Sequence, residues 1–283
     1  MKHMKKMLCL ALGLTMSLTL LSACSGGGTA SPSPSASAPS PSASAPAPTG
    51  AVLPTIEAGK LIMSTNAAFP PYEMVTDAGG FEGIDVEIAT KIAEKLGLEL
   101  EILDIDFTPA VNAPAEGKSD MCMAGLTVND ERKVNLDFST TYATGIQVVI
   151  VPEGSEITTI EDLDGKLIGT QAGTTGYNYC SASPEDGGYG EDAVIAYDNG
   201  AIAVQALLAG KVDCVVIDNM PAQEYVKANT GLKILDTEFA VEDYAIAVKK
   251  GNTELLTAID GALDELIADG IVQSVVDKYI TAD

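Results

Sequence analysis

The sequence predicts an α/β protein whose sheet is mostly parallel. Three observations predict it. From Lys60 to the C-terminus, apolar runs of strand length alternate with segments whose apolar residues recur every three or four positions. Glycines and prolines punctuate the junctions. The alternation extends over roughly 230 residues, enough for one large domain or two small ones.

The chain opens differently. Lys2, Lys5 and Lys6 precede an apolar run from Met7 to Leu21, too short and wrongly flanked for a membrane span. It reads as the apolar core of a secretory signal, residues 1–23. The tetrad Leu21, Ser22, Ala23, Cys24 resembles the lipobox of bacterial lipoproteins. That resemblance makes Cys24 the lipidated mature N-terminus, and Cys9 would leave with the signal. The alternative is an ordinary signal with a chance cysteine. Residues 24–56 read as the lipid-bearing cysteine and a tether. Six of the chain's 14 prolines lie between Pro32 and Pro48, and no charge occurs before Glu57. Such a segment has nothing with which to build a core, and its prolines keep it extended.

Removing residues 1–23 takes three of the 16 basic residues and none of the 40 acidic ones, leaving a net charge of −27. That balance argues against nucleic acid and against an acidic membrane surface, so contact with the membrane is expected through the lipid only. The single histidine, His3, lies in the signal. Histidine-based triads and histidine-bearing zinc sites are thereby excluded from the mature chain. Cys122, Cys180 and Cys214 remain, without metal spacing. Cys122 and Cys214 sit in apolar strands and read as core, whereas Cys180 leaves a disulfide open. No cofactor or metal is expected.

The elements follow in order. Lys60 to Ser64 is a strand, and Asn66 to Tyr72 a proline-interrupted loop. Ile84 to Leu96 is a helix, since Ile84, Ile88, Ile92 and Leu96 repeat at four and Gly97 ends it. Glu87 and Lys91 make an i,i+4 pair on its wet side. Asp85 reads as a charge at the helix N-terminus and Glu87 as a surface acid. Leu98 to Leu103 is a strand. Phe107 to Glu116 is a weak helix carrying Pro109 and Pro114. Met121 to Met123, Gln147 to Val151 and Leu167 to Thr170 are strands. Ala201 to Leu208 is helical, Val212 to Asp218 a strand, and Pro221 to Ala228 a helix with proline in its preferred first place. Leu232 to Leu235 and Tyr244 to Val248 are strands. Helices over Leu255 to Ala268 and Ile271 to Tyr279 close the chain.

Three junctions carry chemistry. In Ala124 to Arg132, Gly125 allows close approach, Thr127 offers a hydroxyl, and Asn129 or Asp130 caps a helix with Arg132 in its first turn. A cation there needs an anionic partner, which is a bound carboxylate or phosphate or else a neighbouring acid. Gly173, Thr174, Thr175 and Gly176 repeat the pattern of glycine plus hydroxyls. Asp218 ends an apolar strand and reads as either a helix cap or a ligand contact. Two anion-friendly junctions, an arginine and a carboxylate suit a zwitterion.

Several ordered stretches together resemble the bacterial extracellular solute-binding proteins of family 3, the amino-acid-binding components of ABC importers. They are STNAAFPPYEM, FEGIDVEIA, GKSDMCMAGLTVNDER and LDFSTTY, then EDLDGKLIGTQAGTT, LLAGKVDCVVID and YAIAVKKGN. The likeness runs from about Gly59 to the C-terminus. It implies a two-lobed type II periplasmic-binding-protein fold, each lobe a mostly parallel sheet flanked by helices. Two crossover strands, near 144–151 and 241–247, would join the lobes. Lobe 1 would comprise residues 57–145 and, on return, 245–283; lobe 2 would be residues 146–244. The partners implied are a free amino acid and an ABC permease, for a monomer held at the outer face of the cytoplasmic membrane.

By the same resemblance, Arg132 grips the ligand's α-carboxylate beside the Gly125 N–H and the Thr127 hydroxyl, and Thr175 donates from the second lobe. Asp218 receives the α-ammonium. Asn66 stands where cation-binding relatives carry an aspartate. Phe69 and Phe107 look like aromatic walls, Gln171 is a further polar contact, and Tyr72 and Tyr177 reach the rim. Gly176 leaves room. With Asn66 and no second cleft cation, the expected ligand is uncharged, polar or sulfur-containing. Two other functions share the scaffold: a dehydratase of small carboxylates, and a solute sensor docking on a receptor. The first needs a spare acid or base that the sequence does not offer.

Overall fold

A computed structural model describes residues 53–236 and 238–280. The signal, Cys24 and the tether to residue 52 lie outside the described residues. Strand β1 (Lys60–Thr65) is followed by a small antiparallel sheet of β2 (Ala68–Phe69), β3 (Glu73–Val75) and β4 (Phe81–Glu82). Helix α1 (Ile84–Leu96) turns Ile84, Ile88 and Ile92 inward and stops at Gly97, whose φ of 69° suits the left-handed cap. Next come β5 (Glu99–Asp104), α2 (Phe107–Glu116) and β6 (Met121–Cys122).

Strand β7 (Leu136–Pro152) has 17 residues, and the expected Gln147–Val151 strand is only its last third. Then follow β8 (Ile168–Gln171), α3 (Thr175–Ser181), β9 (Val194–Tyr197), α4 (Gly200–Leu208) and β10 (Cys214–Asp218). Helix α5 (Asn219–Ala228) begins two residues before Pro221. Proline is tolerated there because the first four N–H groups of a helix have no partner within it. The chain ends with β11 (Leu232–Ile234), β12 (Ala240–Lys249), α6 (Thr253–Ala268) and α7 (Ile271–Tyr279).

The strands run in the order β5-β1-β6-β12-β7-β10-β8-β9, with β11 beside β7. One wing is parallel through β5, β1 and β6, the other through β10, β8 and β9. Between them β7 and β12 run antiparallel, from Leu136 opposite Lys249 to Gln147 opposite Ala240. Strand β12 also pairs with β6 and β7 with β10, so the long pair carries the chain from wing to wing. Helices α1, α6 and α7 enclose the core of the first wing. Helices α4 and α5 cover one face of the second wing, and α3 covers the other. Cys122, Cys180 and Cys214 are all buried and free, so Cys180 forms no disulfide. Among the described residues, no helix is long and apolar enough to cross a membrane.

Candidate ligand-binding cleft

Between the wings lies a small cavity, ≈ 30 Å³, with room for no more than a few waters. Its wall brings together Asn66, Phe69, Phe107, Gly125, Thr127, Arg132, Gln171, Thr175 and Asp218. The first six come from the β1–α2 wing and its loops, the last three from the other. The wings are drawn together: Gln171 Nε2 donates to Asn66 Oδ1 at 2.9 Å, and Tyr225 OH donates to the Ala68 carbonyl at 2.9 Å.

Arg132 does not open a true helix. It begins a single 3-10 turn, Arg132–Val134, whose cap position is Glu131 and not Asn129 or Asp130; Asn129 Oδ1 still accepts from Arg132 N at 2.9 Å. The guanidinium lies 5.5 Å over the Phe107 ring. Nη1 donates to the Thr127 carbonyl at 2.7 Å, and Nη2 to the Gly173 carbonyl at 3.3 Å. Burial pulls its pKa below the usual arginine value. A cation satisfied only by neutral carbonyls in a desolvated wall favours an incoming anion.

Asp218 is 1% exposed and does two things. It caps α5, accepting from Met220 N at 3.4 Å, and it accepts the Tyr244 hydroxyl. Cap and cavity contact are thus the same carboxylate. Burial pushes it up to about 7, against the lowering effect of the Tyr244 hydrogen bond. A buried acid without a cation beside it favours an incoming ammonium. Gly145, on β7, passes so close to the Asp218–Tyr244 pair that no Cβ fits there.

Gly125 differs from expectation. Its N–H donates to Asp85 Oδ2 at 2.9 Å, so what it has left for a ligand is its carbonyl. With φ +51° and a Cβ that would fall 2.6 Å from Phe69 Cε1, only glycine suits the position. Asp85 is therefore not a charge device at a wet helix end; it is wholly buried under the binding loop. Glu73 lies beside it, also wholly buried, and lines the cavity. Glu73 Oε1 and Oε2 and Asp85 Oδ1 have no hydrogen-bond partner. A proton shared between them would turn their contact into a hydrogen bond. Burial raises both pKa values, that of Asp85 to about 6. Glu87 ties to Lys278 and Tyr279 on α7 instead of Lys91.

Other placements also differ. The Thr127 hydroxyl donates to Glu242 Oε2 at 3.1 Å. Thr175 is the buried first residue of α3, at the helix start as expected, and Thr174 before it is the cap, accepting from Tyr177 N at 3.2 Å. Tyr72 is no rim residue. At 1% exposure it stacks behind Phe69 at 5.7 Å and meets Tyr244 edge-on at 5.4 Å. Tyr177 does not line the cavity. Gly176 does not leave space for a ligand, because a Cβ there would meet Gln147 Oε1 at 2.8 Å. Gln147, Glu73 and Tyr244 line the cavity without having been singled out in the sequence. Gln147 and Tyr244 stand on the crossover strands β7 and β12, and no local pattern marked them. No cluster of three metal-binding side chains occurs among the described residues.

The profile of the bacterial extracellular solute-binding proteins, family 3, matches residues 61–282. The chain belongs to this family. The match begins in β1 and leaves out the tether. The family is one of solute-binding proteins, not of enzymes. Among relatives, the chain is 31% identical over 231 residues to the L-cystine-binding protein TcyJ of Escherichia coli K12, covering 80% of this chain and 85% of the relative. It is 32% identical over 228 residues to the arginine-binding extracellular protein ArtP of Bacillus subtilis, covering 79% and 87%. Among solved structures, an ancestral arginine-binding protein bound to glutamine superposes with a TM-score of 0.73 at 38% identity, covering 79% of this chain and 99% of that one. The two parallel wings bridged by β7 and β12 are the two lobes of the type II periplasmic-binding-protein fold.

Proposed function

We propose that the protein captures one free, uncharged amino acid outside the cell and delivers it to an ABC importer by closing its lobes. One observation carries the reading. Arg132, half-buried, and Asp218, buried, face a common cavity from opposite lobes, and neither forms an ion pair among the described residues. An α-carboxylate on the first and an α-ammonium on the second would satisfy both and hold the lobes together. Names of similar proteins support the class, since TcyJ and ArtP are called cystine- and arginine-binding.

The far end of the cavity supports an uncharged side chain. Asn66 and Gln171 are neutral and bonded to each other. The additional acid, Glu73, is held well above the usual carboxylate range by burial and by the Asp85 charge beside it, so it offers no free countercharge. Phe69 and Phe107 supply apolar area. Lobe 1 is read as 57–145 plus 245–283 and lobe 2 as 146–244, in a monomer tethered through lipid on Cys24.

A thermal-shift screen of the twenty amino acids plus cystine and ornithine tests the reading, because a ligand that binds only the folded state raises its stability by mass action. Glutamine, cystine or methionine should stabilise most. Preference for arginine, lysine or glutamate over every neutral candidate would overturn the side-chain assignment. No stabilisation by any of them would overturn amino-acid capture itself.

A further inference from the structure

Tyr225 and Ala68 meet outside the ligand cavity, from opposite lobes. Tyr225, on α5, lies in lobe 2 as bounded above; Ala68, on β2, lies in lobe 1. The Tyr225 hydroxyl donates to the Ala68 carbonyl at 2.9 Å, and among the described residues this is its only hydrogen-bond partner. Tyr225 is 9% exposed and belongs to the lobe 2 core with Val204, Ile217 and Ala222. A Cβ at Gly200, the first residue of α4, would fall 3.0 Å from Tyr225 Cε2 and 2.4 Å from Ile217 Cδ1. Glycine there leaves the ring its place. Phe69, the residue after Ala68, packs against the cores of both lobes and also walls the cavity. Neither Tyr225 nor Ala68 lines the cavity.

We propose that the Tyr225 hydroxyl latches lobe 2 onto the Ala68 carbonyl of lobe 1 and thereby sets how long the closed cleft retains its amino acid. The proposal rests on the amino-acid-binding reading above, lobe closure included. The ring is fixed in the core of one lobe and its acceptor in the β2–β3 pair of the other, so parting lobes would separate them. A contact made in one of two states shifts their populations by its own differential energy. Burial pushes the Tyr225 hydroxyl above the usual tyrosine range, so it stays a donor. The acceptor is main chain, so the latch needs no particular side chain from lobe 1. Tyr225 is thus a positioning residue: it acts on the ligand through closure and does not touch it. Escape requires opening, so loss of the latch quickens release. Affinity falls with it only to the extent that the ligand-free protein is open, because a bond present before and after binding cancels.

The test uses the full chain and a conservative variant, Tyr225→Phe, which keeps the ring against Gly200 and removes the hydroxyl. Its probes are L-glutamine, L-cystine and L-arginine. The variant should release a bound probe roughly fivefold faster, the scale of one neutral hydrogen bond, with association no slower. Without ligand, its scattering radius should exceed that of the parent. A tyrosine that only fills the lobe 2 core would leave both readouts unmoved in Tyr225→Phe, and parental release with parental radius would overturn the latch. So would weaker binding that arises only from slower association. If the parent binds none of the three probes, amino-acid capture has failed, and the ligand-free radii still decide the latch: a larger one in the variant supports it, and an equal one overturns it.

Discussion

Gln171 Nε2 donates to Asn66 Oδ1 at 2.9 Å, joining the two lobes at the far end of the cavity. The remaining bonds of the two amides are local. Gln171 Nε2 also reaches the Asp198 carbonyl at 3.3 Å, and Asn66 Nδ2 reaches the Ile105 carbonyl at 3.0 Å. The donors of Gln171 are thereby spent, and Oε1 is what its amide has left to offer a ligand. Asn66→Asp preserves the acceptor that Gln171 needs and adds one negative charge. Calorimetry should show the affinity ratio of arginine to glutamine rising at least about tenfold, the scale of one hydrogen bond to a charged group. An unchanged ratio would place the ligand's side chain elsewhere.

The charged clamp gives a second expectation. Arg132→Ala leaves an α-carboxylate unpaired in a closed cleft, and Asp218→Ala does the same to an ammonium. Truncating one member of a buried charged pair typically costs about 2–5 kcal/mol in binding. Asp218 also caps α5 and holds Tyr244, so its truncation should lower thermal stability as well. Near-parental affinity in a folded variant removes that residue from the ligand's contacts.

Local signals explain why some of this was legible. Helices α1, α2 and α7 have the bounds that their periodicity predicts, and glycines with positive φ close the first two. The first half of β7 was missed because Leu136–Ile146 is polar and glycine-interrupted. Its order comes from β12, about a hundred residues away, and no local pattern encodes such a partner. Gln147, Glu242 and Tyr244 were hidden for the same reason. Asp85 was misread because an acid in a first helical turn is ordinarily wet. Here the Gly125 loop folds over it.

Asp218 makes binding depend on pH. Its carboxyl is held up to about 7, chiefly by burial, with the nearby Glu242 charge adding to the rise and the Tyr244 bond opposing it. An ammonium beside it would lower that value, so binding an amino acid expels a proton. Affinity should be full above pH ~8 and fall as pH drops below ~7, by at most tenfold per unit for a single proton. Titration calorimetry across pH 5–8 measures this, and Asp218→Asn should flatten the profile at lower affinity. A flat profile in the parent would mean that Asp218 is ionised before the ligand arrives.

The last expectation concerns Glu73 and Asp85, the acid pair beneath the Gly125 loop. The Tyr142 hydroxyl lies beside Asp85, and Tyr72 and Asp104 also bear on the pair. Folding raises both carboxyls, that of Asp85 from 3.8 to about 6. An acid raised by folding binds its proton more tightly in the native state. The stability it contributes is complete below the unfolded value and is lost as pH rises through the folded one. For Asp85 that window is about pH 4–6, and the loss is on the order of 3 kcal/mol. Glu73→Gln replaces one acid by a neutral amide that can donate to Asp85 at any pH. Urea unfolding should show the variant more stable than the parent at pH 8, by about 1–3 kcal/mol, and close to it at pH 4.5. The bond from Gly125 to Asp85 is kept, so amino-acid affinity should survive. A variant less stable than its parent at pH 8 would show that the pair holds no shared proton and that Glu73 is needed there as a charge.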